Sequence, residues 1–185
     1  MKQSKLIIKA FLLGIIGVLL INCTGGNKVM SVDDLLANAE SMVGENIIVE
    51  GLCTHVCQTS GMKLFLQGSD AEHSIRAESG ANLGKFDPES VDEKVVVRGK
   101  FAEFRIDEAY LTDLEQQLAD STHVGHGEGG AGCDTELAAE GIASGTSEME
   151  RITILRNQIA ERNANEGKDY LSQYYIEAVG YEIVK

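Results

Sequence analysis

Two short segments hold most of the side chains capable of chemistry. The first is Cys53-Thr-His55-Val-Cys57. Along an extended strand alternate side chains share a face, so Cys53, His55 and Cys57 are expected on one side. Residues four apart in a strand have Cα atoms ~13 Å apart at ~3.3 Å per residue. A disulfide needs a Cα separation of roughly 4.4–6.8 Å. A straight strand therefore lets only neighbours such as Cys53 and His55 act together. A turn near His55 would let both cysteines converge, and Gln58 to Gly61 is turn-like.

The second segment is His123-Val-Gly-His126 followed by Cys133, in a stretch rich in glycine. Thiolate and imidazole together suit zinc, copper(I) or haem iron. A combined centre would draw on Cys53, Cys57 and Cys133 with His55, His123 or His126. The spacing is not that of a zinc ribbon, which pairs CxxC elements. Two other uses stand beside the metal. One is a structural disulfide, Cys57–Cys133 or Cys53–Cys57, with one thiol left over. The other is thiol redox, for which a strand in an acidic chain is a poor setting because such cysteines want a nearby cation or helix N-terminus. His73, at a strand start, reads as a solvated surface residue. No P-loop, nucleotide fingerprint, Ser/His/Asp order or HExxH is present, so no catalytic pair is expected. Asp33/Asp34 and Glu148/Glu150 read as charges at helix starts.

Cys23 has a different role. Lys2, Lys5 and Lys9 precede an apolar run from Ala10 to Ile21, too short for a permanent span of roughly 20 residues. The run ends in Leu20-Ile21-Asn22-Cys23, which resembles the lipobox of bacterial lipoproteins; Asn22 stands where Gly, Ala or Ser is usual. The resemblance implies a signal peptide over 1–22, a lipid on Cys23, anchoring to the membrane, and a periplasm-facing domain. Thr24 in place of an aspartate points to the outer membrane. Residues 23–30 are expected to form a tether.

Without residues 1–22 the chain has 163 residues, with 13 basic and 29 acidic side chains and a net charge of −16. That is enough for one domain with a real core. The balance argues against nucleic acid as a partner, because phosphate contacts need clustered Lys and Arg. With no Trp and five each of Tyr and Phe, stacking platforms are scarce. Arg98, Lys100 and Arg105 make at most a small basic spot.

These groups need elements to position them. Ser31-Val-Asp-Asp34 opens a helix over 31–43, with Val32, Leu35, Leu36, Ala39 and Met42 at helical spacing and Gly44 as its stop. Strand-like runs follow over 46–57, 63–68, 73–78 and 94–106, with glycines at 51 and 99 that suggest bulges or bends. A short helix is expected over 109–120, a loop or lid over 121–145, a helix over 147–163 opened by Ser147-Glu-Met-Glu150, and a closing strand over 173–184. Five strands, the first and fourth long, point to a mainly β domain over 31–185: an OB-fold Greek-key barrel with flanking helices.

Val49-Glu-Gly-Leu-Cys-Thr-His-Val-Cys57, Lys63-Leu-Phe-Leu66, Val95-Val-Val-Arg-Gly99, Arg105-Ile-Asp-Glu-Ala-Tyr110 and Glu177-Ala-Val-Gly-Tyr-Glu182 carry a resemblance to OB-fold lipoproteins and periplasmic proteins of Gram-negative bacteria. This family has no assigned chemistry to carry over. The expected function is a lipid-anchored binding module with a Cys/His site for a transition metal or haem. The alternatives are a thiol-disulfide protein, or an interaction domain for another envelope protein with a structural disulfide.

Overall fold

Alternation of apolar side chains makes a barrel wall of the first long strand. In the computed structural model, which describes residues 28–71, 73–120 and 134–184, strand β2 spans Asn46–Val56 and buries Ile47, Val49, Gly51 and Cys53 on one face. Ahead of it lie β1 (Val29–Ser31), α1 (Val32–Ala37) and α2 (Ala39–Met42). After it come β3 (Lys63–Gln67), β4 (Ser74–Ser79), a 3-10 turn (Pro88–Ser90) and β5 (Lys94–Asp107). The chain continues with α3 (Glu108–Ala119), α4 (Asp134–Ala139), α5 (Glu148–Glu166) and β6 (Tyr170–Val184).

Strands β2, β3, β4, β6 and β5 form a closed five-stranded barrel, because β5 also pairs with β2. The β4–β6 pair is parallel and the other pairs of the ring are antiparallel. This is the expected OB-like barrel with flanking helices. Part of the expected tether is ordered: β1 lies outside the ring, parallel to β2, with Val29 opposite Ile48.

The Ser31 side chain accepts from the Asp34 amide, so the predicted N-cap of α1 is real. The helix breaks at Asn38 into two short pieces, and Gly44 reverses the chain at φ +91°. Val32 and Leu35 enter the barrel core and close one end against Val49 and Leu66. Gly51 is the counterpart of that plug. A Cβ there would stand 2.9 Å from Val32 Cγ2 and 2.9 Å from the Gln67 carbonyl oxygen.

Strands β5 and β6 pair from Lys94 with Val184 to Asp107 with Tyr170, farther than either pairs with any other strand. The far end of this ladder carries a second core. Ile106 from β5 packs with Leu111 and Leu114 of α3, Leu137 of α4, and Ile152 and Leu155 of α5. Helix α5 opens with the expected capping box, Ser147 with Glu150, and runs to a C-cap at Gly167. Two expectations need correction. The loop proposed over 121–145 contains α4, anchored by buried Leu137 and by Ile142 just beyond it. The last strand starts three residues early, because Tyr170 still finds a ladder partner in Asp107.

Gly99 faces the β5–β6 register shift, but the extra residue there is Val179 of β6, so the bulge expected at Gly99 lies on the strand opposite it. A Cβ on Gly99 would lie on the Glu177 carbonyl oxygen and 2.7 Å from Ile176 Cγ2. Gly99→Ala should destabilise the fold by about 1–3 kcal/mol through overpacking. Urea denaturation measures it as a midpoint lowered by about 1 M at an unchanged slope. An unchanged midpoint would mean that the two strands do not approach this closely.

Candidate functional site

The β2 wall changes phase just before its end. Cys53 pairs with Leu66 and His55 pairs with Phe65, so Thr54 is an extra residue on the β2 side. This bulge inverts the alternation. Cys53 points into the core with no exposed surface, and the next inward residue is Val56. His55 and Cys57 are half-buried. The expectation that Cys53, His55 and Cys57 share a face is therefore corrected, because the bulge turns Cys53 away from the other two. Cys53 and Cys57 are not bonded to each other, so the Cys53–Cys57 disulfide is also absent.

The two thiols are chemically unlike. Burial pushes Cys53 up to about 11, and the Asp92 charge adds to it. At Cys57 partial burial works against the thiolate. The Ser60 hydroxyl, the Ser60 and Thr59 main chain and the Lys63 charge outweigh it and hold this thiol below its ordinary value. Among the described residues, no group of three or more His, Cys, Asp or Glu is arranged to hold a metal. Cys23, His123, His126 and Cys133 lie outside the described residues. His73 is partly exposed, and its Nδ1 lies 2.7 Å from Asp70 Oδ1 and 3.9 Å from Asp33 Oδ1. Asp33 also accepts from the Ser69 amide and hydroxyl, tying α1 to the β3–β4 turn.

A different cluster lies on the outer face of β3, β4 and β6. Phe65 and Arg76 are ladder partners, as are Arg76 and Tyr175, so all three share that face. Phe65 is only 1% exposed although it points away from the barrel core, because other groups cover it. The His55 ring lies 5.8 Å from it. The Arg76 guanidinium stands 5.7 Å from the Tyr175 ring centroid. Helix α4 crosses above. Its Glu136 carboxylate pairs with Lys63 and lies 3.3 Å from Arg76 Nη1, while Glu78 lies 2.9 Å from Arg76 Nε.

Helix α4 is held at its other end too. Arg151 of α5 grips both oxygens of Glu140 at 2.6 Å, and Gln173 of β6 donates to the same carboxylate at 2.6 Å. This bidentate pair is largely buried. A cavity of about 230 Å³ remains between α4, the outer sheet face and α1, lined in part by Leu36, Phe65, Arg76, Glu136 and Tyr174. None of this cluster was a candidate in the sequence. Phe65 and Arg76 read as ordinary strand positions, and Glu136 lies 60 residues beyond Arg76 in the chain.

The proposed basic spot is neutralised in part: Arg98 pairs with Glu182 at 3.5 Å and Arg105 with Glu103 at 3.0 Å. Among the described residues no helix is long and apolar enough to cross a membrane. No protein-family model matches the chain, and no curated protein matches it significantly.

The thiolate is the reactive form, which separates the two cysteines experimentally. Near neutral pH, iodoacetamide should modify Cys57 and spare Cys53 in the folded protein, and modify both in urea. The Cys57 rate should reach its plateau at lower pH than an unperturbed thiol does. Peptide mass mapping reads both results, and equal labelling of Cys53 in the native state would overturn the assignment of faces.

Proposed function

We propose that this chain is a lipid-anchored, periplasm-facing binding module of the cell envelope, with the outer face of β3, β4 and β6 beneath α4 as its ligand surface. One observation carries the reading: Glu136 bridges Lys63 and Arg76 on a strand face that also holds Phe65, with a cavity of about 230 Å³ alongside. Polar groups converging beside an apolar wall are the usual features of a small-ligand site. The net charge of −16 and the acidic cover argue against nucleic acid on this face. The anchor rests on the order of charge, apolar run and Cys23 in the sequence, and Thr24 favours the outer membrane. One or more further envelope proteins remain natural partners for such a module.

Zinc, copper or haem enters this reading only through a centre without Cys53, drawn from Cys57 and His55 with Cys133, His123 and His126. A second reading, a structural disulfide, is favoured by a specific contact. Cys57 donates its amide to the Lys63 carbonyl, and the Lys63 side chain pairs with Glu136, three residues after Cys133. Three residues span at most about 10 Å. A Cys57–Cys133 bond in an oxidising compartment would staple α4 to the sheet.

Amide-shift mapping with pooled envelope solutes and short peptides tests the ligand surface. Shifts should cluster on Lys63, Phe65, Arg76, Gln173 and α4. Shifts centred on β1 or on the far side of the barrel would sink the reading. Cys23→Ser should move the protein from the membrane fraction to the soluble fraction, and continued sedimentation with membranes would refute the lipid anchor. Peptide mapping without reductant tests the disulfide. A stoichiometric metal that is lost on Cys53→Ser would reverse the order of these readings.

A further inference from the structure

We infer that the Lys63–Arg76 pair is a carboxylate-binding site, and that Glu136 occupies it as an internal stand-in for a small external carboxylate with an apolar body. The inference rests on the ligand surface proposed above and adds the chemical class of the ligand. Lys63 and Arg76 come from neighbouring strands and face the same way, with Phe65 between them in the chain and opposite Arg76 in the ladder. Both cations are about four-fifths buried, and one Glu136 oxygen serves both. Guanidinium plus ammonium is a charge-assisted donor set for a carboxylate.

The local charge supports an exchange. Lys63 and Arg76 are balanced by Glu136 and Glu78. An incoming carboxylate that takes the place of Glu136 preserves that balance at the two largely buried cations, and the displaced Glu136 is compensated by water once it turns outward. Room for the body of the ligand already exists. The cavity is lined by Arg76 and Glu136, by apolar Leu36, Phe65, Ala139 and Tyr174, and by further polar groups that include Glu140 and Gln173. Its volume of about 230 Å³ corresponds to roughly seven or eight water-sized groups. That suits a short aliphatic acid, or the last residue of a peptide with a free C-terminus.

The exchange does not require α4 to leave. Leu137 is buried in the second core and Glu140 is held by Arg151 and Gln173, so the helix stays docked. Glu136 lies in the first turn of α4, and only its side chain must turn outward.

The test uses the full-length chain and calorimetric titration with butanoate, with butanamide as its uncharged isostere. Glu136→Gln removes the internal carboxylate and keeps the shape, and circular dichroism verifies the fold. The variant should bind butanoate about tenfold more tightly than the wild type and should not bind butanamide. Adding Arg76→Gln should abolish that gain. An acetylated tripeptide ending in valine, as free acid and as amide, separates a peptide terminus from a free acid as the source. Equal butanoate affinity in wild type and Glu136→Gln would overturn the stand-in role of Glu136. Equal binding of butanoate and butanamide would overturn carboxylate recognition while leaving the ligand surface intact. No binding of any acid by a folded Glu136→Gln chain would overturn the inference altogether.

Discussion

The long antiparallel ladder between β5 and β6 is the constraint on which the rest of the molecule depends. Its first half, from Lys94 to Lys100, also pairs with β2 and closes the barrel. Its second half, from Phe101 to Asp107, runs past the end of β2, and Ile106 there helps to seat α3, α4 and α5. One pair of strands thus belongs to two apolar cores. The helices inserted between β5 and β6 are fixed against the barrel through this shared ladder. That is why α4 can lay a single carboxylate across two cations on strands far earlier in the chain. At the register slip beside Gly99 the two strands approach so closely that only a residue without Cβ fits.

The cysteines owe their different characters to a single extra residue. Thr54 is surplus to the β2–β3 pairing, and it sends Cys53 inward and His55 outward. Burial then makes Cys53 a core filler with a disfavoured thiolate, in one cluster with Leu64 and Leu66, while Cys57 at the strand end meets donors in the turn that favour its thiolate. Sequence spacing alone treats the three residues as equivalent, because strict alternation is its premise. A bulge without a glycine leaves no compositional mark at Thr54. Gly51 and Gly99 do leave one, although they mean different things. Gly99 lies opposite the bulge that Val179 makes in β6, and Gly51 makes room for the Val32 plug.

Much of the architecture was legible for ordinary reasons. Helix starts at Ser31 and Ser147 are written as cap residues followed by acids, and the strands as alternating β-branched and polar positions. Helix α4 was not legible. It is six residues long, lies in a glycine-rich stretch, and buries only Leu137 of its own residues. Its identity comes from tertiary contacts, which local pattern does not encode. The same holds for the candidate site. Lys63, Arg76 and Glu136 carry no motif, and their meeting is a product of barrel closure plus the docking of an inserted helix.

The order of strands in the ring also governs how the chain reaches this state. β6 follows the whole helical insertion in sequence, yet it sits between β4 and β5. During synthesis the earlier strands emerge first, and a gap stays open between β4 and β5 until residues 170–184 arrive. Both flanking strands present unsatisfied edges through that interval. The local contacts within α3 and α5 need no such wait, so the helical layer can form before the cylinder beside it. A chain that ends anywhere ahead of Tyr170 therefore lacks the strand that closes the cylinder, and the facing edges of β4 and β5 stay open to other strands.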